Sequence, residues 1–324
     1  MMIHRIKLAV LTISIAAVFT ACQKEGPEEE NFVGVEGISF ENYPKIDGST
    51  SARALIQMAT YKLLGVRYDW DTDPWEGPGE WFVSPREEDI PERYREEFMN
   101  AATSNTHEAF MHLIDGEADI ILTHRTLSPD EKAHAGEVGV TLLETPVASD
   151  AFVFIKNKNN PVKSLTVEQI QKIYTGEITN WSQAGWRDAP IEVFTRPRNS
   201  GSEEIFRTLV MDGRESAEFP EATVWMMWHV FREVLAYEEG FCYTFDNYKE
   251  VIARRPDSEV PRIAVNGVFP SERTVRDGTY PFVSQVHVAI RSDLDPGSMA
   301  YKLYEWLQSE NAKSTIAECG FLPD

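Results

Sequence analysis

The sequence predicts an α/β protein of two domains, on three observations. From about residue 38 onward, short apolar strands alternate with amphipathic helices, a rhythm that argues for layered α/β architecture with largely parallel sheets. The length of 324 residues suits two domains at roughly 150 residues each. Apolar residues make up 42% and charged residues 26%, an ordinary globular balance that excludes global disorder and fibrous repeats. No repeat of the solenoid type is present.

The chain begins with a segment that reads as separate from the fold. Arg5 and Lys7 precede an apolar run from Leu8 to Phe19, and Thr20, Ala21 and Cys22 follow. A basic start, a short apolar stretch and small residues describe a secretory signal peptide over 1–21. The run of about 12 residues is shorter than the ~20 that span a bilayer as a helix. Residues 22–36, with Lys24, Gly26, Pro27 and Glu28–Glu30, are too polar to pack and read as a tether.

Strands are expected at Tyr43–Ile46, Ala118–Leu122, Thr141–Leu143, Ala151–Ile155, Ile191–Phe194, Cys242–Phe245, Ile263–Val265 and Val286–Ile290. A helix starting at Ser49 carries Ala54, Leu55, Met58, Ala59, Tyr61, Leu63 and Leu64 as its apolar face. Further helices are expected at Thr106–Leu113, ended by Gly116, and at Val167–Tyr174, Ser202–Met211, Met299–Leu307 and Ala312–Cys319. Residues 67–93, with Trp70, Trp75, Trp81 and Pro74, Pro78, Pro85 and Pro91, interrupt the rhythm and read as an irregular insertion.

Lys and Arg total 31 against 52 Asp and Glu, a formal charge of −21. That balance argues against a nucleic-acid partner, which needs a basic surface. It leaves room for a small anion held by local N–H groups, since distant charge is screened beyond about 8 Å. Three cysteines are too few for a disulfide framework or a Cys-rich zinc site. Cys242 and Cys319 fit either a pair in an oxidising compartment or two buried thiols.

Four short motifs share one physical logic. Asp47-Gly48-Ser49-Thr50-Ser51 and Arg196-Pro197-Arg198-Asn199-Ser200-Gly201-Ser202 each lie after a predicted strand and before a predicted helix. Ser104-Asn105-Thr106 precedes the third helix start, and Thr123-His124-Arg125 follows a strand. Glycine permits a tight turn and close approach, while Ser and Thr cap the helix and leave hydroxyls at the strand's carboxyl end. First-turn N–H groups lack intrahelical partners and carry the positive end of the dipole, so such a terminus favours an anion.

The residue order resembles the substrate-binding proteins of phosphate ABC transporters, over most of the chain beyond the leader. Asp47-Gly48-Ser49-Thr50-Ser51 resembles that family's first phosphate loop, and Gly116-Glu117-Ala118-Asp119-Ile120 with Thr123-His124-Arg125 its second strand and loop. Ile173-Tyr174-Thr175-Gly176-Glu177-Ile178-Thr179-Asn180-Trp181 is similar to a segment of its second domain. Arg196 with Ser200-Gly201-Ser202 resembles its Arg-x-x-x-Ser-Gly-Thr motif, with Ser for Thr. The ending Phe19-Thr20-Ala21-Cys22 resembles a bacterial lipobox with Cys22 as the lipidated residue.

The resemblance implies a periplasmic-binding-protein-like fold of two α/β domains, 37–147 plus 283–324 and 148–282, with a ligand cleft between them. It implies phosphate or a similar tetrahedral oxyanion as ligand, held by Ser49, Thr50, Ser51, Thr106, Arg125, Arg196, Ser200, Gly201 and Ser202, and an ABC permease as partner. It implies a lipid-anchored protein of the periplasm or cell surface, with no catalytic residue, cofactor or metal. A surface lipoprotein of the same fold acting as adhesin, sensor or phosphate-releasing hydrolase is the alternative. Two departures stand out. The family places an Asp, which accepts the proton of hydrogen phosphate, where this chain has Thr123-His124-Arg125, and an acid where it has Arg198. Asp47 is the substitute acceptor nearest in sequence to an anion loop.

Other constellations are weaker. His107 and His112 are five residues apart, about 140° around a helix, which does not suit a zinc pair. Trp225, Trp228 and His229 lie on an expected helix and read as core or domain-interface packing, with ligand contact as the alternative. No Gly-x-Ser-x-Gly elbow or phosphate-binding P-loop is present, and nothing near Ser200 in sequence supplies a base.

Overall fold

In chain order, β1 (Ile46–Gly48) passes through a 3-10 turn at Thr50–Ala52 into α1 (Arg53–Leu64). An antiparallel pair, β2 (Tyr68–Thr72) and β3 (Trp81–Pro85), precedes α2 (Arg95–Met99), α3 (Thr106–Asp115), β4 (Ile120–Thr123) and α4 (Pro129–Val138). Next come β5 (Leu142–Lys156), β6 (Ser164–Leu165), α5 (Val167–Tyr174), β7 (Glu192–Val193) and α6 (Gly201–Ile205), which continues as a π-helix over Phe206–Val210. The chain closes with α7 (His229–Ala236), β8 (Gly240–Phe245), β9 (Arg262–Val265), α8 (Glu272–Arg276), β10 (Val283–Arg291), α9 (Met299–Leu307), α10 (Glu310–Glu318) and β11 (Leu322–Pro323).

This computed structural model describes residues 32–72, 80–99, 103–219 and 222–324. The expected signal peptide, Cys22, most of the expected tether, and Pro74, Trp75 and Pro78 lie outside the described residues. Gly34–Asp324 forms one compact unit. Among the described residues no helix is long and apolar enough to cross a membrane.

The sheet runs β1-β4-β10-β5-β8-β7, with β11 and β9 also on β5 and β6 on β9. It is mixed, which corrects the expectation of largely parallel sheets. β1 with β4, β7 with β8 and β6 with β9 are parallel, but β10 is antiparallel to β4 and β5, and β5 is antiparallel to β8 and β9. The cause is β5, a single strand of 15 residues. Its first part pairs with β10, from Leu142 opposite Arg291 to Ala151 opposite Val283. Its second part pairs with β8, from Phe152 opposite Phe245 to Lys156 opposite Phe241. Two strands were expected here because polar Glu144, Thr145, Ser149 and Asp150 interrupt the apolar pattern. The ladder nevertheless continues, with Pro146 opposite His287 beside a bulge between Val286 and His287.

Residues 67–93 are likewise more regular than expected. Tyr68–Thr72 alternates in exposure and pairs with Trp81–Pro85, and Arg254 lies 3.7 Å from the Trp81 ring centre and 5.2 Å from that of Trp70. The first strand starts at Ile46 instead of Tyr43. It also passes so close to β4 that a side chain at Gly48 would meet the Leu122 carbonyl oxygen at 2.3 Å. The helix from Thr106 ends as expected on Gly116, at φ 79°. An aromatic core of Phe152, Phe154, Phe206, Phe241 and Tyr243, each no more than 1% exposed, supports β5 and β8, with Phe206 stacked on Tyr243 at 4.4 Å.

Candidate functional site

Three polar chain segments converge on one cavity of about 340 Å³, whose wall is completed by residues 225–227 and Phe245. The turn after β1 brings Ser49, Thr50 and Ser51, the start of α3 brings Asn105 and Thr106, and the loop before α6 brings Arg196, Pro197, Asn199, Ser200, Gly201 and Ser202. Sequence reasoning singled out Ser49, Thr50, Ser51, Thr106, Arg196, Ser200, Gly201 and Ser202, and the structure brings these together.

Local chemistry explains each placement. Asn105 and Ser200 cap their helices, with side chains accepting from the N–H groups of Glu108 (3.0 Å) and Glu203 (3.2 Å). That leaves the first-turn N–H groups of both helices at the cavity end. Gly201 is required by close approach: a Cβ there would lie 2.2 Å from Thr106 Oγ1. The starts of α3 and α6 therefore face each other across the site.

Arg196 is the one charged side chain among the described cavity-lining residues, and none of them is a carboxylate. It is 8% exposed. Its guanidinium donates to Ser202 Oγ (3.4 Å) and to the Val224 carbonyl, while its backbone N–H donates to Tyr243 Oη (3.1 Å). Burial pushes its pKa below the ordinary arginine value. Tyr243 in turn donates to Glu203, whose carboxyl is pushed up by burial. This buried network holds the arginine in place behind the hydroxyls.

Arg125 stands elsewhere, and so departs from the expected set. Its guanidinium makes two bonds of 2.7 Å to Glu131, which is fully buried, and lies over the Phe110 ring at 5.2 Å. It lines a second cavity of about 840 Å³ together with Lys132 and His287. Both donor edges facing Glu131 are spent on a structural pair.

Asp47 is corrected as well. It does not line the cavity. Its carboxylate accepts from Gly48 N (2.7 Å), Ser104 N (2.9 Å) and Ser104 Oγ (2.7 Å), and it pairs with His112 Nδ1 at 2.8 Å. It ties the 104–106 segment to β1, and the pairing raises the His112 pKa. His107 instead meets Glu131 at 3.0 Å, so the two histidines have different carboxylate partners.

Sequence reasoning missed several lining residues. Trp225, Met226 and Met227 form part of the cavity wall before α7 begins. Trp225 is 74% exposed, so it is not the packing residue expected. Phe245 also lines the cavity, and its ring packs on His124. His124 reaches Ser51 Oγ with Nδ1 at 2.7 Å, a contact between segments 73 residues apart that no local pattern announces. Cys242 and Cys319 are separate buried thiols.

Comparison with known proteins identifies the family. The profile of the PBP superfamily domain matches residues 94–311. Phosphate-binding protein PstS of Bacillus subtilis is 26% identical over 56% of this chain and 58% of its own length. PstS of Staphylococcus haemolyticus is 28% identical over 63% of this chain and 66% of its own length. The alignments thus span less than two thirds of either relative. Among solved structures, an ABC-type phosphate transport receptor from Vibrio cholerae superposes with a TM-score of 0.62 at 24% identity, covering 86% of this chain and 98% of that one. The two-domain fold is shared with that structure.

Proposed function

The chain belongs to the PBP superfamily, and from that premise we propose that it binds phosphate, or a similar tetrahedral oxyanion, and delivers it to an ABC permease. One observation carries the reading: hydroxyls and helix starts from three segments surround a single buried arginine in a cavity without a carboxylate among its described lining. Helix N-termini and hydroxyls are suited to anion oxygens. Arg196 supplies a charge-assisted bond. The names of the relatives point the same way. In this reading Ser49, Thr50, Ser51, Thr106, Ser200, Gly201 and Ser202 hold the ligand with Arg196, and Arg125 serves the fold.

The two lobes are 37–147 plus 283–324 and 148–282, and they close on the ligand. The mature protein is anchored by a lipid on Cys22 in the periplasm or at the cell surface and has no reaction of its own. Calorimetry with phosphate, arsenate and sulfate tests the binding. Saturable one-site binding of phosphate is expected, and binding of none of the three would end the reading. Incubation with a phosphate monoester separates binder from hydrolase, and no release of phosphate is expected. Mass spectrometry of the native protein should find an acylated Cys22. A soluble product with an unmodified Cys22 would remove the anchor.

A further inference from the structure

Ser51 lines the cavity while its hydroxyl is engaged on the other side. Its Oγ lies 2.7 Å from His124 Nδ1, and the two residues are 4% and 1% exposed. His124 Nε2 lies 3.5 Å from Asp150 Oδ2, an electrostatic approach outside hydrogen-bond geometry, and neither buried atom has a hydrogen-bond partner. The other oxygen of Asp150 accepts from the backbone N–H groups of Ala151 (2.8 Å) and Asn247 (3.1 Å). Phe245 and Phe321, with ring centres 4.2 and 5.4 Å away, wall in the imidazole.

This geometry fixes a proton. A carboxylate oxygen only accepts, so a neutral imidazole facing Asp150 carries its hydrogen on Nε2. Nδ1 is then bare, and the Ser51 hydroxyl must donate to it. Ser51 Oγ is left with lone pairs, one of which suits the Ser49 hydroxyl at 3.2 Å. The other is left for a ligand in the cavity that Ser51 lines.

We propose that the Ser51–His124–Asp150 chain makes Ser51 the hydrogen-bond acceptor of the site, so that the cavity selects oxyanions bearing a proton, such as hydrogen phosphate, over those without one, such as sulfate. The inference rests on the oxyanion reading above. Phosphate at neutral pH donates its P–OH to Ser51. Sulfate has no proton to give. It either sets its lone pairs against those of Ser51 or turns the hydroxyl around and strands a buried histidine nitrogen. Ser51 touches the ligand, whereas His124 and Asp150 are positioning residues.

Calorimetry of phosphate and sulfate at one neutral pH, on the purified protein and two variants, tests this. Asp150→Asn keeps the shape. Its amide oxygen can accept the two backbone N–H groups while its NH2 donates to His124 Nε2. The histidine hydrogen then moves to Nδ1, and Ser51 becomes a donor toward the cavity. The phosphate-to-sulfate affinity ratio should fall about tenfold or more, or ~1.4 kcal/mol. A residue that only supported the fold would weaken both anions alike and leave the ratio unchanged. Ser51→Ala removes the acceptor and leaves His124 Nδ1 without its partner, a cost to the fold that falls on both anions alike, so the ratio should fall there too. An unchanged ratio in Ser51→Ala, or in folded Asp150→Asn, overturns the proposal, as does equal affinity of the unaltered protein for both anions. Failure of the unaltered protein to bind either anion overturns the oxyanion reading itself.

Discussion

Replacing Gly201 by alanine tests whether the starts of α3 and α6 must touch for the site to work. The new Cβ would lie 2.2 Å from Thr106 Oγ1 and 3.2 Å from Thr106 Cβ, whereas ordinary contact starts near 3.4 Å. Thr106 cannot simply swing away: it is 3% exposed, and a β-branched side chain in a helix has few rotamers. The two helix starts must therefore separate by about 1 Å. A shift of that size takes hydrogen bonds to a shared ligand beyond their working range. Losing one bond to a charged group costs about 1.5–3 kcal/mol, or roughly 10- to 150-fold in Kd. Thr106→Ala on its own loses a hydroxyl donor and should weaken binding comparably. In the double variant the clashing oxygen is gone, and only the 3.2 Å carbon contact must relax. The pair should bind phosphate about as well as Thr106→Ala alone, with a coupling energy close to the whole effect of Gly201→Ala. Calorimetric titration of the four proteins measures this. Unaltered affinity in Gly201→Ala, or strictly additive losses, would refute the reasoning.

Three further outcomes are expected. Arg196→Ala should lower phosphate affinity at least tenfold while the protein still unfolds cooperatively, and equal affinity would take Arg196 out of the site. Asp47→Asn should destabilise the fold by about 1–3 kcal/mol in denaturant titrations, because the carboxylate braces Ser104 and His112. It should leave the phosphate-to-sulfate ratio unaltered, and a changed ratio would return Asp47 to the ligand. The raised pKa of folded His112 means the group binds its proton more tightly in the native state. Its contribution is therefore complete below the ordinary histidine value of about 6.5 and fades as pH rises through the raised one. The stability gap between the parent and His112→Gln should narrow from pH 5.5 to pH 9, and a gap that widened would reverse the assignment.

Elements with caps and apolar periodicity were legible from the sequence. Val167–Tyr174 has a capping box of Thr166 and Gln169 and lies where its pattern puts it, and Met299–Leu307 follows Ser298 in the same way. Long-range pairing was not legible. β5 looked like two strands because its polar residues break the apolar run, while the backbone ladder that carries the strand through them is made with β10 and β11, more than a hundred residues away. Tyr68-Asp69-Trp70-Asp71-Thr72 did carry a period-2 signal, which the surrounding prolines and acids masked. The Gly-Ser-Thr loops stood out because turn chemistry is local. Asp150 did not, and the contacts of His124 were not legible even though its loop was noted: a histidine after a strand has no signature until the fold brings Ser51 and Asp150 to its two nitrogens.

β5 behaves as a torsion rod. It is a single strand whose partners change between Ala151 and Phe152, with hydrogen-bonded rungs on either side of that point. Turning one set of partners against the other cannot be absorbed by a slack connection. It must appear as added twist along the strand, shared among small changes in successive backbone angles. Asp150 sits beside the point where the partners change, with one oxygen held by Ala151 and Asn247 and the other 3.5 Å from His124 Nε2. A rotation of one set of partners against the other would thus reach first the carboxylate that stands beside His124.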